Sequence, residues 1–227
     1  MSVEVAEAGA GAASFSSIFS RALRGHPCLV VGLGAEPEPL PVADWTREAD
    51  DADRALLAHC EGATLDIGCG PGRLGARLVE LGHVVLGVDV VPEAVRQTRE
   101  RGVAALVRDV FESLPGEGRW RSVLLADGNI GIGGDPVALL RRARALLDPR
   151  GRVVVELAGP GRGHRTAWAE LHCGEARSRP FRWSLVGTDA IEALAAGAGL
   201  RVASTHAFGD GSGGSPRRWC AVLEVAP

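Results

Sequence analysis

The 227-residue chain contains no lysine and no tyrosine, and all 25 of its basic residues are arginine. Schiff-base catalysis and phosphate binding by a P-loop both need a lysine, so both are excluded. Five cysteines are scattered along the chain, and none belongs to a Cys-x-x-Cys pair. This spacing argues against both a disulfide framework and a zinc knuckle.

Strong charge and long apolar runs are also missing. A formal net charge of −3 gives no general attraction to nucleic acid or to an anionic membrane. No apolar run approaches the ~20 residues that a membrane-spanning helix needs. The N-terminal segment has no basic residue before Arg21, unlike a secretory signal. These features predict a cytoplasmic protein, a monomer or a homodimer, with neither nucleic acid nor membrane as a partner.

The chain is long enough for one globular domain with its own core. We predict a disordered Ala/Gly/Ser-rich tail over residues 1–13, followed by a helix, a hairpin and a helix over residues 14–60. The main domain is predicted over residues 61–227, with an excursion of irregular pattern at residues 159–187 that we place on the substrate side.

Short apolar runs alternate with helical patterns from residue 63 onward. Strands are predicted at Ala63–Gly68, Val84–Asp89, Val103–Val107, Ser122–Ala126 and Val153–Leu157. Alternation at this spacing predicts a mainly parallel sheet. Two last strands, Arg201–Phe208 and Trp219–Val225, flank a Gly/Ser loop and predict an antiparallel hairpin that closes the sheet.

The segment TLDIGCGPGRLGARL, residues 64–78, carries the strongest functional signal. Gly68, Gly70 and Gly72 lie between a buried strand and a helix, where glycine allows positive φ and the helix N-terminus offers free N–H groups. The dinucleotide fingerprint has its third glycine one residue later, which disfavours a nicotinamide cofactor. Asp66 would repel a pyrophosphate but would attract a cationic ligand.

Two more acids follow the next two strands. Asp89 comes 23 residues after Asp66, and Asp109 follows the third strand. Parallel neighbouring strands bring such residues to one edge of the sheet. A carboxylate can accept hydrogen bonds from both hydroxyls of a ribose, and Asp109 could accept from an adenine amino group. A cation, a ribose and an adenine together describe S-adenosylmethionine (SAM).

With these motifs, residues 60–225 resemble a class I, Rossmann-like SAM-dependent methyltransferase of the small bacterial type. DIGCGPG is similar to the first motif of that family, GVDVVPEA to its ribose-binding motif and Asp109-Val110 to its adenine-binding segment. The resemblance implies an α/β fold with a seven-stranded, mainly parallel sheet, helices on both faces and a C-terminal antiparallel hairpin. It implies SAM contacts by Asp66, Gly68, Cys69, Gly70, Gly72, Asp89, Val90, Asp109, Val110 and Ala126.

The stretch LLADGNIGIGGDP, residues 124–136, follows the fourth strand, beside the expected position of the methyl group. Asp127 is the candidate catalytic base and Asn129 a candidate substrate contact. A base helps only where the nucleophile is a weak acid; otherwise alignment supplies much of the rate. His164, within the excursion, is the second candidate base.

Tryptophans are the other candidate substrate contacts. Trp168 and Trp183 of the excursion, with Phe181, could wall a flat substrate or face the sulfonium, although packing a small subdomain explains them equally well. Trp45 could belong to a lid. The fifth strand ends in ELAGPG, without the extra carboxylate ligands of a metal-assisted site, so we predict no metal.

The sequence therefore predicts methyl transfer from SAM to an oxygen or nitrogen atom of a small molecule, such as a secondary metabolite. Two alternatives remain: a non-catalytic SAM-binding protein and, less favoured, an NAD-linked oxidoreductase.

Overall fold

A computed structural model describes residues 12–209 and 217–226. Its helices are α1 (Phe15–Leu23), α2 (Val42–Thr46), α3 (Asp51–Leu57), α4 (Arg73–Glu80), α5 (Pro92–Glu100), α6 (Pro136–Leu146) and α7 (Ile191–Gly197). Its strands are β1 (Leu29–Val31), β2 (Glu38–Pro39), β3 (Thr64–Ile67), β4 (Val85–Asp89), β5 (Ala104–Val107), β6 (Trp120–Leu125), β7 (Leu147–Leu157), β8 (His164–Cys173), β9 (Ala176–Arg177), β10 (Phe181–Val186), β11 (Leu200–Phe208) and β12 (Arg218–Val225). A short 3₁₀ segment covers Asn129–Gly134.

The main sheet has seven strands in the order β11-β12-β7-β6-β3-β4-β5. The pairs from β7 to β5 are parallel, whereas β12 is antiparallel to both β7 and β11. The predicted Rossmann-like α/β class with a C-terminal antiparallel hairpin is confirmed. Strand order reverses between β3 and β6, and open parallel sheets bind ligands at the carboxyl ends of strands around such a point.

Helices cover both faces of this sheet, as the alternation of side chains along β6 and β7 shows. Leu125 and Val155 join one hydrophobic cluster, which includes α6. Their neighbours Leu124 and Val154 join a second cluster with α3 and α4. Successive strand residues point to opposite faces, so apolar runs without alternation are what a sheet buried on both sides requires.

The helix starts follow local sequence signals. Asp135 caps α6, since its side chain accepts a hydrogen bond from the Ala138 N–H at 3.0 Å, and Pro136 occupies the first turn. A reciprocal capping box of Asp50 and Asp53 starts α3.

A second, antiparallel sheet covers the carboxyl edge of the main one. Its order is β10-β8-β1-β2, with β9 paired to β8. The expectation of an irregular excursion at residues 159–187 was therefore wrong: these residues form a β-ribbon that pairs with the N-terminal hairpin. Val30 pairs with Leu171, 141 positions away, so no local turn signal announced this sheet.

One disulfide joins the two segments of this second sheet. Cys28, just before β1, is bonded to Cys173 at the end of β8. The argument against a disulfide framework missed this pair, because a single bridge between residues 145 positions apart leaves no spacing pattern. Cys60, Cys69 and Cys220 are free and buried.

Two predictions fall wholly or mostly outside the described residues: the tail, up to residue 11, and the Gly/Ser loop, at residues 210–216. Ala13, the last residue of the predicted tail, is among the described residues, and its backbone forms hydrogen bonds with the backbones of Arg177 and Arg179. None of the helices in the described part is long and apolar enough to span a membrane.

Candidate active site

A cavity of about 540 Å³ opens where β3, β4 and β6 end, beneath the second sheet. This volume lies within the range of small-molecule sites. Nine of the ten residues assigned to the cofactor by resemblance line it: Asp66, Gly68, Cys69, Gly70, Asp89, Val90, Asp109, Val110 and Ala126.

The glycine loop needs its glycines for different reasons. Gly68, Gly70 and Gly72 all have positive φ, at 70°, 54° and 86°. A Cβ on Gly70 would meet no atom within 4 Å, so its backbone is open to a ligand. A Cβ on Gly72 would lie 2.8 Å from the Cα of Thr98, and this glycine packs against α5 rather than lining the cavity. The structure therefore does not support the expected ligand contact at Gly72.

The Asp89 carboxylate is held in place by the backbone around it. Its Oδ2 accepts a hydrogen bond from the Gly70 N–H at 3.0 Å, and its Oδ1 accepts from the Val91 N–H at 2.9 Å. Burial raises the pKa of this carboxyl above its ordinary value, and the backbone hydrogen bonds oppose that rise. A carboxylate has about four lone-pair sites, so these backbone hydrogen bonds do not exhaust its capacity to accept from a ribose hydroxyl.

Asp66 is buried at the end of β3, with 3% of its surface exposed. Its Oδ2 has no hydrogen-bond partner among the described residues. Burial, together with the negative charges of Asp127 and Asp89, raises its pKa to about 7. A cationic group in the cavity would favour the ionised form, so this carboxyl fits the charge of the SAM amino group or sulfonium.

Exposed apolar side chains flank the third acid. Asp109 accepts a hydrogen bond at Oδ1 from the Phe111 N–H at 2.9 Å. Phe111 and Val90 are both exposed and line the cavity. They offer flat apolar surface beside a carboxylate, as an adenine would need. Sequence reasoning missed Phe111, although an aromatic residue two positions after Asp109 was a usable signal.

Asp127 belongs to a network of charged side chains that also includes Arg47, whose Nη1 lies 2.7 Å from Asp53 Oδ2. Its carboxylate accepts two hydrogen bonds from Arg73 Nη2, at 2.8 and 2.7 Å. Arg73 also pairs with the fully buried Asp53. Arg218 binds Asp53 Oδ1 and Glu156 Oε1, each at 2.6 Å. Glu156 in turn accepts from the Asp127 N–H at 2.8 Å.

This network fixes the carboxylate at the carboxyl edge of β6. Asp127 has φ +50°, the one positive value outside glycine in the described residues, and 31% of its side chain is exposed. Burial alone would raise the pKa of Asp53, but hydrogen bonds from Arg73 and Arg218 hold it well below the ordinary value. Burial raises the pKa of Asp127 above its ordinary value, and the charges of Arg73 and Arg218 oppose that rise. Asp127 and Arg73 are the members of the network that line the cavity.

The 3₁₀ segment after Asp127 contacts both the glycine loop and β10. The Asn129 side-chain amide lines the cavity and donates to the carbonyl oxygens of Ile67 and Gly68, both at 2.9 Å. Gly131 lies against the indole of Trp183, leaving no room for a Cβ. Asn129 thus holds the glycine loop, and Gly131 lets β10 approach.

The structure separates the remaining candidates. Trp45 and Trp183 line the cavity. Trp168 does not: it lies on β8 with 65% of its surface exposed. His164 is exposed at the start of β8, its Nε2 is 3.4 Å from Thr166 Oγ1, and it does not line the cavity either.

Comparison with known proteins gives one family match and one short curated match. Residues 64–151, which hold all four cavity acids, match the family model described as a methyltransferase domain. A 72-residue stretch is 40% identical to a tabtoxin biosynthesis enzyme of Pseudomonas amygdali pv. tabaci. That stretch covers 31% of this chain and only 29% of the enzyme's length.

Solved structures match over most of the chain. A SAM-dependent methyltransferase from Bacteroides fragilis, in complex with S-adenosylhomocysteine, matches with a TM-score of 0.75 and 20% identity, over 93% of this chain and 94% of that one. A 1,6-didemethyltoxoflavin-N1-methyltransferase from Burkholderia thailandensis, with 1,6-didemethyltoxoflavin and S-adenosylhomocysteine bound, matches with a TM-score of 0.59 and 24% identity, over 81% of each chain. At these identities, the likeness shows the fold.

Proposed function

We propose that this chain, a SAM-dependent methyltransferase of the class I, Rossmann-like type, transfers a methyl group to an oxygen or nitrogen atom of a small molecule. The observation that carries the proposal is one cavity that is lined by two different kinds of surface. Acids and open backbone line one side, and apolar side chains from the N-terminal segment and the second sheet line the other. A donor and an acceptor bound there would be adjacent.

The residues at the sheet edge fit SAM part by part. Gly68, Gly70 and Asp66 would hold the methionine part, Asp89 the ribose and the Asp109–Phe111 segment the adenine. When bound, SAM supplies the methyl group: the carbon–sulfur bond breaks, its electrons stay on sulfur, and the acceptor atom takes the methyl.

Asp127 is the group of this chain that would orient the acceptor. A carboxylate has about four lone-pair sites, and the two hydrogen bonds from Arg73 leave others free. It would accept the proton of an acceptor hydroxyl or N–H, aligning the nucleophile and then taking the proton as the bond to methyl forms. His164 lies outside the cavity lining and plays no part in this proposal.

The relatives support a secondary metabolite as the acceptor. The curated relative bears the name of a tabtoxin biosynthesis enzyme, and one structural relative is named for 1,6-didemethyltoxoflavin. A cavity of about 540 Å³ has room for molecules of that size rather than for a macromolecule. We further propose a cytoplasmic protein that does not bind nucleic acid.

The test is incubation with isotope-labelled SAM and a metabolite extract of the native host, followed by mass spectrometry of the labelled product. We expect one labelled small molecule. Asp89→Ala should abolish most SAM affinity in calorimetry, whereas Asp127→Asn should lower the transfer rate and leave affinity nearly unchanged. SAM binding without transfer to any acceptor would indicate a non-catalytic protein and refute the proposal.

A further inference from the structure

Aromatic residues are few in this chain and are concentrated at its cavity. The sequence has five phenylalanines, five tryptophans and no tyrosine. Four of the phenylalanines and two of the tryptophans line the cavity. Phe111 lies next to Asp109 at the sheet edge, and the other five come from the N-terminal segment and from β10. Such enrichment is not explained by core packing alone, because these side chains surround open space.

The five form one continuous surface, here called the aromatic wall: Trp45, Phe19, Phe15, Phe181 and Trp183. Trp45 stacks on Phe19 with ring centroids 5.4 Å apart, and Phe19 lies 5.3 Å from Phe15. Phe15 meets Phe181 edge to face at 4.9 Å, and Phe181 meets Trp183 at 6.3 Å. All four separations lie in the range of favourable aromatic pairs, so the wall is ordered before any ligand arrives.

The acidic side chains of the cavity lie away from the aromatic wall. Its four acids, Asp66, Asp89, Asp109 and Asp127, are all at the main-sheet edge. Besides the wall, the N-terminal segment and the second sheet contribute aliphatic residues and a single charged one, Arg182. Arg182 is opposite Trp168 and so points to the other face of the ribbon from Trp183, which leaves ring faces as the surface that a ligand on the wall would meet.

We propose that the methyl acceptor is a planar aromatic or heteroaromatic molecule that lies on the aromatic wall with its reactive hydroxyl or nitrogen toward Asp127. This rests on the proposed function. A flat ring system gains stacking with the wall. A sugar would leave hydroxyl groups unpaired on apolar surface.

The test is calorimetry at saturating S-adenosylhomocysteine, which measures binding without turnover. The probes are 1-naphthol and its saturated counterpart decahydro-1-naphthol. We expect 1-naphthol to bind at least about 10-fold more tightly, because only it offers a flat ring to the wall. Trp183→Leu should weaken 1-naphthol binding on the order of 5-fold, and Trp183→Phe by less. Neither should change affinity for S-adenosylhomocysteine.

Trp168→Leu is the matched control, since Trp168 lies on the same β-ribbon but outside the cavity. It should leave both affinities unchanged, and unfolding midpoints of all variants check that they fold. Equal binding of the saturated alcohol, or an equal loss in Trp168→Leu, would overturn the acceptor class. Labelled transfer to a non-aromatic metabolite would overturn it too, leaving the methyltransferase function intact. Failure to bind SAM would refute that function itself.

Discussion

Replacing Asp66 with asparagine tests the electrostatics of the cofactor side. The Asp66 carboxyl is 3% exposed, and its Oδ2 has no partner among the described residues. Burial and the nearby charges of Asp127 and Asp89 raise its pKa from 3.8 to about 7. The ionised Asp66 carboxylate destabilises the ligand-free protein, but it favours the binding of a cation.

The direction of the pH dependence follows from the raised pKa. Between about pH 4 and 7 the folded protein keeps a proton that the unfolded chain has released, so stability falls as pH rises through this window. A rise in pKa from 3.8 to about 7 corresponds to roughly 4 kcal/mol at full ionisation. Asp66→Asn removes the titration, so we expect it to be more stable than the native protein by up to that amount above pH 7, and to lose this advantage near pH 4.

Urea unfolding of the free protein at about pH 5 and about pH 8 measures both stabilities. Asp109→Asn, an exposed carboxyl at the same edge, is the matched control and should keep the native pH slope. Calorimetry should show weaker SAM binding by Asp66→Asn, because a carboxylate that favours the cation is gone. An Asp66→Asn variant with the same pH slope as the native protein would refute the reasoning.

Four further changes test other parts of the structure. Arg73→Met should cost about 1–3 kcal/mol in urea unfolding, because it removes one of the three arginines that pair with the fully buried Asp53 and leaves Arg47 and Arg218 in place; an unchanged midpoint would contradict this. Gly131→Ala should cost about 1–3 kcal/mol, because its Cβ would press on the Ser184 carbonyl oxygen and on the Trp183 indole, and full stability would argue against those contacts. Cys28→Ser should cost roughly 3–5 kcal/mol, since its bond to Cys173 closes a long loop of 145 residues; reductant should bring the native protein to the same level and leave the variant unaffected. EDTA should leave methyl transfer intact, and rescue by added Mg²⁺ would overturn the prediction of no metal.

The main sheet could be read from the sequence because its signals are local. The run predicted at Val84–Asp89 is β4, Val85–Asp89, and the hairpin strands differ from prediction by a residue at their starts. Uniformly apolar runs, helix-capping residues and a proline in the first turn of a helix each involve residues that lie only a few positions apart. Parallel topology then brought the predicted acids to one edge.

The second sheet and the charged network depend on contacts between distant residues, which a single sequence does not reveal. Asp127 could be placed at a strand end, but its partner Arg73 lies 54 positions away. The register of β8 and β10 explains why Trp183 lines the cavity and Trp168 does not. Trp183 is opposite Ala167 rather than Trp168, so the two indoles lie on opposite faces of the ribbon. Both looked alike as substrate contacts before that register was known.

The division of the cavity has a consequence for how such a protein can diversify. The residues proposed to hold SAM lie within residues 64–151, whereas the aromatic wall comes from residues 15–45 and 181–183, before and after that segment. On the proposed function, substitutions in the wall would alter which molecule binds and leave the residues proposed to hold SAM unchanged. The two flanking pieces are not independent of each other, because β1 and β8 share a ladder and the Cys28–Cys173 bond. A change of acceptor would therefore need compatible residues in two stretches that lie far apart in the sequence.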